Sequence, residues 1–335
     1  MKKSWIDRLA DAIERSPLPW WALGAIVWAV FATVQAGVLW LTGTVDFGTY
    51  PFLTRAEAFY LVVPLLGYVY LSRFARRSFD RFRPALDIDD ASAADYRHRI
   101  SSTPAHLAWV WFVVGGVPGA MSLLVDAGNY EQYLVSPITT GVWLTLAFVA
   151  FGLNIVVAAL IIRQLRLVAK LHRAAKHIDL FRPEPLHAFA SLTARAGVLV
   201  LVNAVYSALT DPATFTNPVW RIVWFLASGL AAAAFFLPLL GLARRLREEK
   251  RVMLDRSAAR LSAITQDLNG AVDSRDLGRV GDLRTGLTAL VEVHERIRKV
   301  SPWPWDTGTI RGFATTLIIP ITTWFLTNLL NRAVF

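Results

Sequence analysis

Hydrophobic and polar positions alternate along this chain in long blocks, not in the short rhythm of strands. Apolar runs near the roughly 20 residues needed to cross a bilayer fall at about 20–42, 56–73, 106–125, 140–162, 196–209 and 222–242. The fifth is short on its own, and Leu186 to Leu192 extend it. A seventh run, 307–331, differs from the rest by carrying one polar face. Thr316, Thr323 and Thr327 recur at spacings of seven and four, with Pro320 between them and Asn331 below. At 3.6 residues per turn these share one helical face. Ile318, Ile321, Phe325 and Leu329 take the opposite face. Lipid offers hydroxyls no partner, so this stripe predicts contact with protein or water.

The segments between runs are patterned too. The fourth run continues without Pro or Gly from Arg163 to Pro183, and the sixth does so from Ala243 to Leu268. There Leu254, Ala258, Leu261, Thr265 and Leu268 keep a heptad-like stripe. Asn269-Gly270 predicts a break, and Asp273-Ser274 predicts the cap of a second helix. That helix places Leu277, Val280, Leu283, Leu287, Leu290, His294 and Ile297 on one face. Pro302 and Pro304 end it, two Trp suit the headgroup level, and Asp306 stands where it caps the last run. At the other end of the chain, Ser16-Pro17 predicts the start of the first span. Phe82-Arg-Pro84 and Phe181-Arg-Pro183 read as turn punctuation.

The expected fold is therefore an all-α polytopic membrane protein with seven transmembrane helices. It divides into a transmembrane bundle over 1–242, a cytoplasmic helical hairpin over 243–306 and a final transmembrane helix over 307–335. Composition agrees. Hydrophobic residues make up 55% and charged residues only 18% of the 335, where soluble proteins carry about a quarter charged. The net charge of +10 would suggest nucleic acid in a soluble protein. Here the position of the charge gives another meaning. All of the 35 Lys and Arg except Arg55, Arg221, Arg311 and Arg332 lie before span 1 or in the connections 2–3, 4–5 and 6–7. By the positive-inside rule the N-terminus is cytoplasmic and, with seven spans, the C-terminus is outside. Met1 to Arg15 is amphipathic and carries acids, unlike a cleavable signal. A plasma (inner) membrane location, multi-pass, is the expectation.

Candidate chemistry is sparse. Cysteine is absent, and the six His show no metal-binding spacing, so no metal and no cofactor are expected. No nucleophile–base pair, carboxylate pair or phosphate-binding glycine loop is evident in the spans, which argues against an enzyme. Asp87, Asp89, Asp90 and Asp95 lack the glycine and terminal glutamate of a calcium loop, and read as helix capping and balance for nearby Arg. Tyr60, Tyr68, Trp111, Trp143, Tyr206 and Trp224, with Asp126, are either interface anchors or the lining of a pocket for a small apolar ligand. Asn154 and Asn203 lie deeper and need partners on other spans. The threonine stripe has two readings as well. Its hydroxyls bond their own backbone between packed helices, or the stripe lines a conduction path, with Ile319, Leu326 and Leu330 as a hydrophobic gate.

This organisation resembles the insect odorant and gustatory receptor type of seven-transmembrane ion channel. The matching features span the chain. The N-in/C-out topology is one, and the prolonged spans 4 (Arg163 to His177) and 6 (Ala243 to Leu268) are another. A short cytoplasmic helix from Ser274 to Val300 then feeds a last span with a short outer tail. The Thr-Tyr and Gln-Phe pattern of gustatory relatives is not reproduced, since Thr323-Trp324 is followed by Phe325-Leu-Thr-Asn328. The resemblance implies a homotetramer with a central cytoplasmic anchor. It implies a last span lining a pore for small cations, to which the uncharged stripe adds weak selectivity, and a ligand pocket in the outer half of the bundle. A membrane signalling or scaffold protein that holds a partner on its basic helices is the alternative, with a small-molecule transporter third.

Overall fold

The computed structural model describes residues 3–125, 128, 130–175, 184–210 and 218–300. In the last segment it describes positions 308, 311, 312, 314, 315 and 318. Among the described residues the chain is all-helical, without strands. The helices are α1 (Trp5–Arg15), α2 (Trp20–Leu41), α3 (Phe52–Phe82), α4 (Asp90–Ser101) and α5 (Ala105–Val125). They continue with α6 (Pro137–Ala174), α7 (Glu184–Thr210), α8 (Pro218–Asp273) and α9 (Leu277–Lys299). Five helical stretches among the described residues are long and apolar enough to cross a membrane: Trp20–Leu41, Thr54–Ala85, Asp90–Val125, Pro137–Ala174 and Ala188–Ser207. In α8 the shorter stretch Trp224–Ala234 is apolar. In the seventh run all of the proposed pore and gate positions lie outside the described residues.

Helix α3 is the hub. It packs against α1, α2, α4, α6 and α7, while α6 packs against α5 and α8. The main buried cluster gathers Tyr68, Phe79 and Phe82 of α3, Ile161 and Leu171 of α6 and Phe189 of α7. These residues lie toward the basic ends of their helices. The amphipathic α1 belongs to the same cluster: Ile6 is buried, and Trp5 meets Trp109 of α5 at a tilt and Phe112 in a T-shaped contact, with centroids 5.4 and 5.1 Å away. A capping box between Ser4 and Asp7 starts α1.

Helices α5 and α6 approach through glycine. A Cβ on Gly116 would stand 2.8 Å from the Phe148 carbonyl oxygen, and one on Gly152 would stand 2.7 Å from that of Phe112. Close backbone approach of this kind is how membrane helices gain packing energy where lipid is as apolar as leucine.

Span 4 does continue into a long helix, and α8 runs unbroken to Asp273. The predicted break at Asn269-Gly270 is not there. An exposed glycine costs a helix only about 1 kcal/mol, and the packing of this stretch on α9, with Ala271 buried, offsets it. The reversal comes at Arg275, whose φ of 60° is the left-handed conformation that ends helices. Asp276, not Asp273 or Ser274, caps α9 by accepting from the Arg279 N–H at 3.2 Å. Ser16 closes α1 instead of opening α2, because Pro19 occupies the N-cap position and the helix starts after it. The acidic cluster behaves as charge balance: Asp90 pairs with Arg83, and Asp95 with Arg99 at 3.2 Å. Asp89 stands at the N-cap of α4, where a bond from the Ser92 hydroxyl holds its carboxyl below the usual range.

Two cations on α8 tie down the ends of other helices. Arg245 Nη1 donates to the His172 carbonyl at 2.9 Å, at the end of α6. Lys250 Nζ donates to the carbonyls of Arg298 and Val300 at 2.7 and 2.8 Å, at the end of α9. Unpaired carbonyls and the negative end of the helix dipole favour a cation there by up to about 1 kcal/mol at an exposed site. Lys250→Met therefore loosens the α8–α9 hairpin. Amide hydrogen exchange over residues 290–300 is expected to rise roughly fivefold, with the transmembrane amides unchanged.

Candidate functional site

The first turns of α3 collect the polar groups of the opposite, less basic end. Glu57 sits there, a charge inside a stretch that otherwise reads as membrane-spanning. An ionisable group in such a stretch is a functional candidate by default. Around it, the Tyr206 hydroxyl of α7 donates to the Ala56 carbonyl at 3.2 Å. The Tyr206 ring stacks on Phe59 with centroids 3.8 Å apart and meets Tyr60 edge-on at 5.4 Å. The Tyr60 hydroxyl lies 3.4 Å from Thr210 Oγ1. Trp224 of α8 reaches α7 as well, where its Nε1 donates to the Ala204 carbonyl at 2.7 Å.

On the other flank of Glu57 is a small cavity of about 10 Å³, lined also by Phe31, Gln35, Leu61, Trp143 and Ala147. Gln35 is 5% and Trp143 4% exposed, yet neither Gln35 Oε1 nor Trp143 Nε1 has a protein partner. Tyr133 lies flat on Trp143, 3.7 Å between centroids, with its own hydroxyl buried and unpartnered. Burial, and then the Glu57 carboxylate, push the Tyr133 phenol above its ordinary range. A cavity of this size takes one water, which needs two to four polar partners. An N–H donor, an amide oxygen and a carboxylate meet that need. An organic ligand does not fit.

One turn further along α3, Pro64 shapes the second feature. Proline has no N–H, so the carbonyl of Tyr60, four residues earlier, loses its helical donor. Asn154 of α6 supplies one: its Nδ2 donates to the Tyr60 carbonyl at 3.0 Å and to the Ala150 carbonyl at 2.9 Å. Asn203 of α7 donates in turn to Asn154 Oδ1. The two deep amides thus join three helices around a proline-made gap.

The six aromatic candidates do not share one pocket. Tyr60 and Tyr206 touch, and Trp224 reaches the same helix, α7. Trp143 lies across α3 in the small cavity. Trp111 points outward from α5, 38% exposed. Tyr68 is at the basic end, where its hydroxyl donates to Asp7 Oδ1 at 2.7 Å and lies 3.0 Å from Thr103 Oγ1. Asp126 lies outside the described residues. Sequence reading passed over Gln35, Glu57 and Tyr133. The first two carried a signal, as polar residues inside apolar runs. Tyr133 carried none, because only the fold brings it to Trp143.

Among the described residues no three metal-ligating side chains gather. Comparison with protein-family models, with curated proteins and with solved structures found no match for this chain.

Proposed function

We propose that this membrane protein is a homotetrameric channel, passing small cations with weak selectivity along a path lined by its last segment. In this reading the chain crosses the inner membrane seven times, with its N-terminus cytoplasmic. Thr316, Pro320, Thr323, Thr327 and Asn331 face the path, and Ile319, Leu326 and Leu330 narrow it. The observation that carries the proposal is the α8–α9 hairpin. Leu254, Leu261 and Leu268 of α8, and Val280, Leu283, Leu287 and Leu290 of α9, are only half-buried, and Val291 and Val293 are exposed. Two helices alone cannot cover such a stripe, and self-assembly does. Copies gathered on this hairpin bring their last segments around a common axis. A small apolar ligand acting among the outer aromatics, near Tyr60 and Tyr206, is the expected means of opening.

Purified protein should have the mass of four chains and give single-channel currents in planar bilayers, with Thr323→Trp altering the unitary conductance. Intact tetramers that stay silent under every condition sink the channel. The same half-covered stripe supports a second reading, a scaffold holding another protein. A chain that remains monomeric and gains mass only with a partner favours that one.

A further inference from the structure

A second cavity, of about 270 Å³, lies between α1, α3 and α4, at the opposite end of α3 from Glu57. Its size approaches the lower bound of ligand pockets, about 300 Å³. Apart from Ala10 and Ala94, every side chain lining it carries a polar atom. The charges are sorted by wall. Helix α1 presents Asp7 and Asp11, one turn apart on the same face, with Lys3 paired to Asp11. Helices α3 and α4 present Arg76 and Arg97, with His98 and the hydroxyls of Ser72, Ser101 and Ser102.

The guanidinium groups are held from behind. Glu14 binds Arg76 at 2.6 Å, and Asp80 binds Arg97 at 2.8 and 3.1 Å, and neither acid lines the cavity. Each fork has five N–H donors, so each keeps donors to spare. Ser72 is 2% exposed, and its hydroxyl has no hydrogen-bond partner. A buried hydroxyl left so costs about 1–3 kcal/mol.

The level of the cavity narrows the ligand. The apolar run of α3 gives way to charge at Arg73, and that of α5 begins only after Ser101-Ser102-Thr103-Pro104. Both changes occur beside this cavity, which places it at a lipid–water boundary. On one wall Asp7 and Asp11 outnumber Lys3 and oppose a bare phosphate, and two guanidiniums on the other oppose a bare cation. A ligand bearing both charges satisfies both walls.

We propose that this cavity binds a zwitterion made of a phosphate and a primary ammonium, the headgroup chemistry of an aminophospholipid. The phosphate lies against Arg76, Arg97 and the Ser72 hydroxyl, and the ammonium takes the place of the half-exposed Lys3 ammonium at Asp11, beside Asp7. Binding here is independent of conduction.

The test uses full-length protein in detergent, titrated with phosphatidylethanolamine, phosphatidylglycerol or phosphatidylcholine and read by native mass spectrometry and thermal shift. Phosphatidylglycerol lacks the ammonium, and phosphatidylcholine lacks its N–H donors. Phosphatidylethanolamine is expected to bind roughly tenfold more tightly than either, the worth of one charge-assisted bond. Soluble glycerophosphoethanolamine separates the sources: if it alone saturates the site, the ligand is a free solute, and if only the lipid is retained, it is a headgroup. Either result supports the zwitterion site. Arg97→Gln and Ser72→Val should each weaken binding about tenfold. The Ser72 hydroxyl bonds nothing in the protein, so its loss leaves lipid-free stability intact and the test stands even if Arg97→Gln fails to fold. Equal binding of the three lipids, or a folded Ser72→Val that binds as well as the parent, overturns the proposal.

Discussion

Gly152→Ala is expected to lower the thermal midpoint of the detergent-solubilised protein by roughly 4 °C, the equivalent of about 3 kcal/mol. The added methyl would stand 2.7 Å from the Phe112 carbonyl oxygen and as close to the Phe112 ring. A flexible side-chain tip moves aside cheaply, but a backbone carbonyl inside a helix moves only with the helix. Separating α5 from α6 then opens the rest of the seam, since Gly115, Gly116 and Gly119 all face Phe148, Phe151 or Ile155 at similar range. No hydrophobic effect holds two helices together in lipid, so lost contact is not recovered elsewhere. Gly37→Ala is the control. A Cβ at Gly37 meets nothing within 4 Å, and alanine there should stabilise α2 by up to about 1 kcal/mol. Size-exclusion chromatography after a heating series reads both variants, and equal midpoints refute the packing argument.

Asn154→Leu carries the second large effect, and its cause is a proline on another helix. Leucine keeps the bulk but removes the Asn154 donor to the Tyr60 carbonyl and the acceptor for Asn203. Membrane side-chain bonds average about 0.6 kcal/mol because the separated helices find other partners. The Tyr60 carbonyl is different: Pro64 removes its i+4 donor, so the Asn154 bond stands in for a helix bond and its loss is expected to cost about 1–2 kcal/mol. The decisive measurement is a double-mutant cycle. Pro64→Ala restores an N–H four residues beyond Tyr60, and in that background Asn154→Leu should cost about 1–2 kcal/mol less. A coupling of zero means that Asn154 serves only its own helix and Asn203.

Much of this architecture was legible in the sequence, because long apolar runs in water-free surroundings have few alternatives to helix. The prolonged α6 and α8 followed from the absence of Pro and Gly, and the need of Asn154 and Asn203 for partners followed from their depth. Local signals misled where packing outweighed them. Asn269-Gly270 looks like a stop, yet α9 lies along that stretch and holds it helical. The six aromatics looked like one set, but Tyr68 belongs with Asp7 and Thr103 while Trp143 belongs with Tyr133. Residue type and span depth do not say which way a ring faces, and a shift of two positions on a helix rotates it by about 200°.

The sequence by itself determined that the chain is helical and built for a membrane, and where its positive charge lies. Those properties are sums over many residues, and no single contact changes them. The tertiary structure alone decided which polar groups meet: Glu57 with Gln35 and Trp143 around one small cavity, Asn154 with the carbonyl that Pro64 exposed, and Asp7 and Asp11 across from Arg76 and Arg97. Each pairing joins residues far apart in the chain. A buried polar atom has to be matched within about 3 Å, a distance set by how the helices pack and not by the pattern along any one of them.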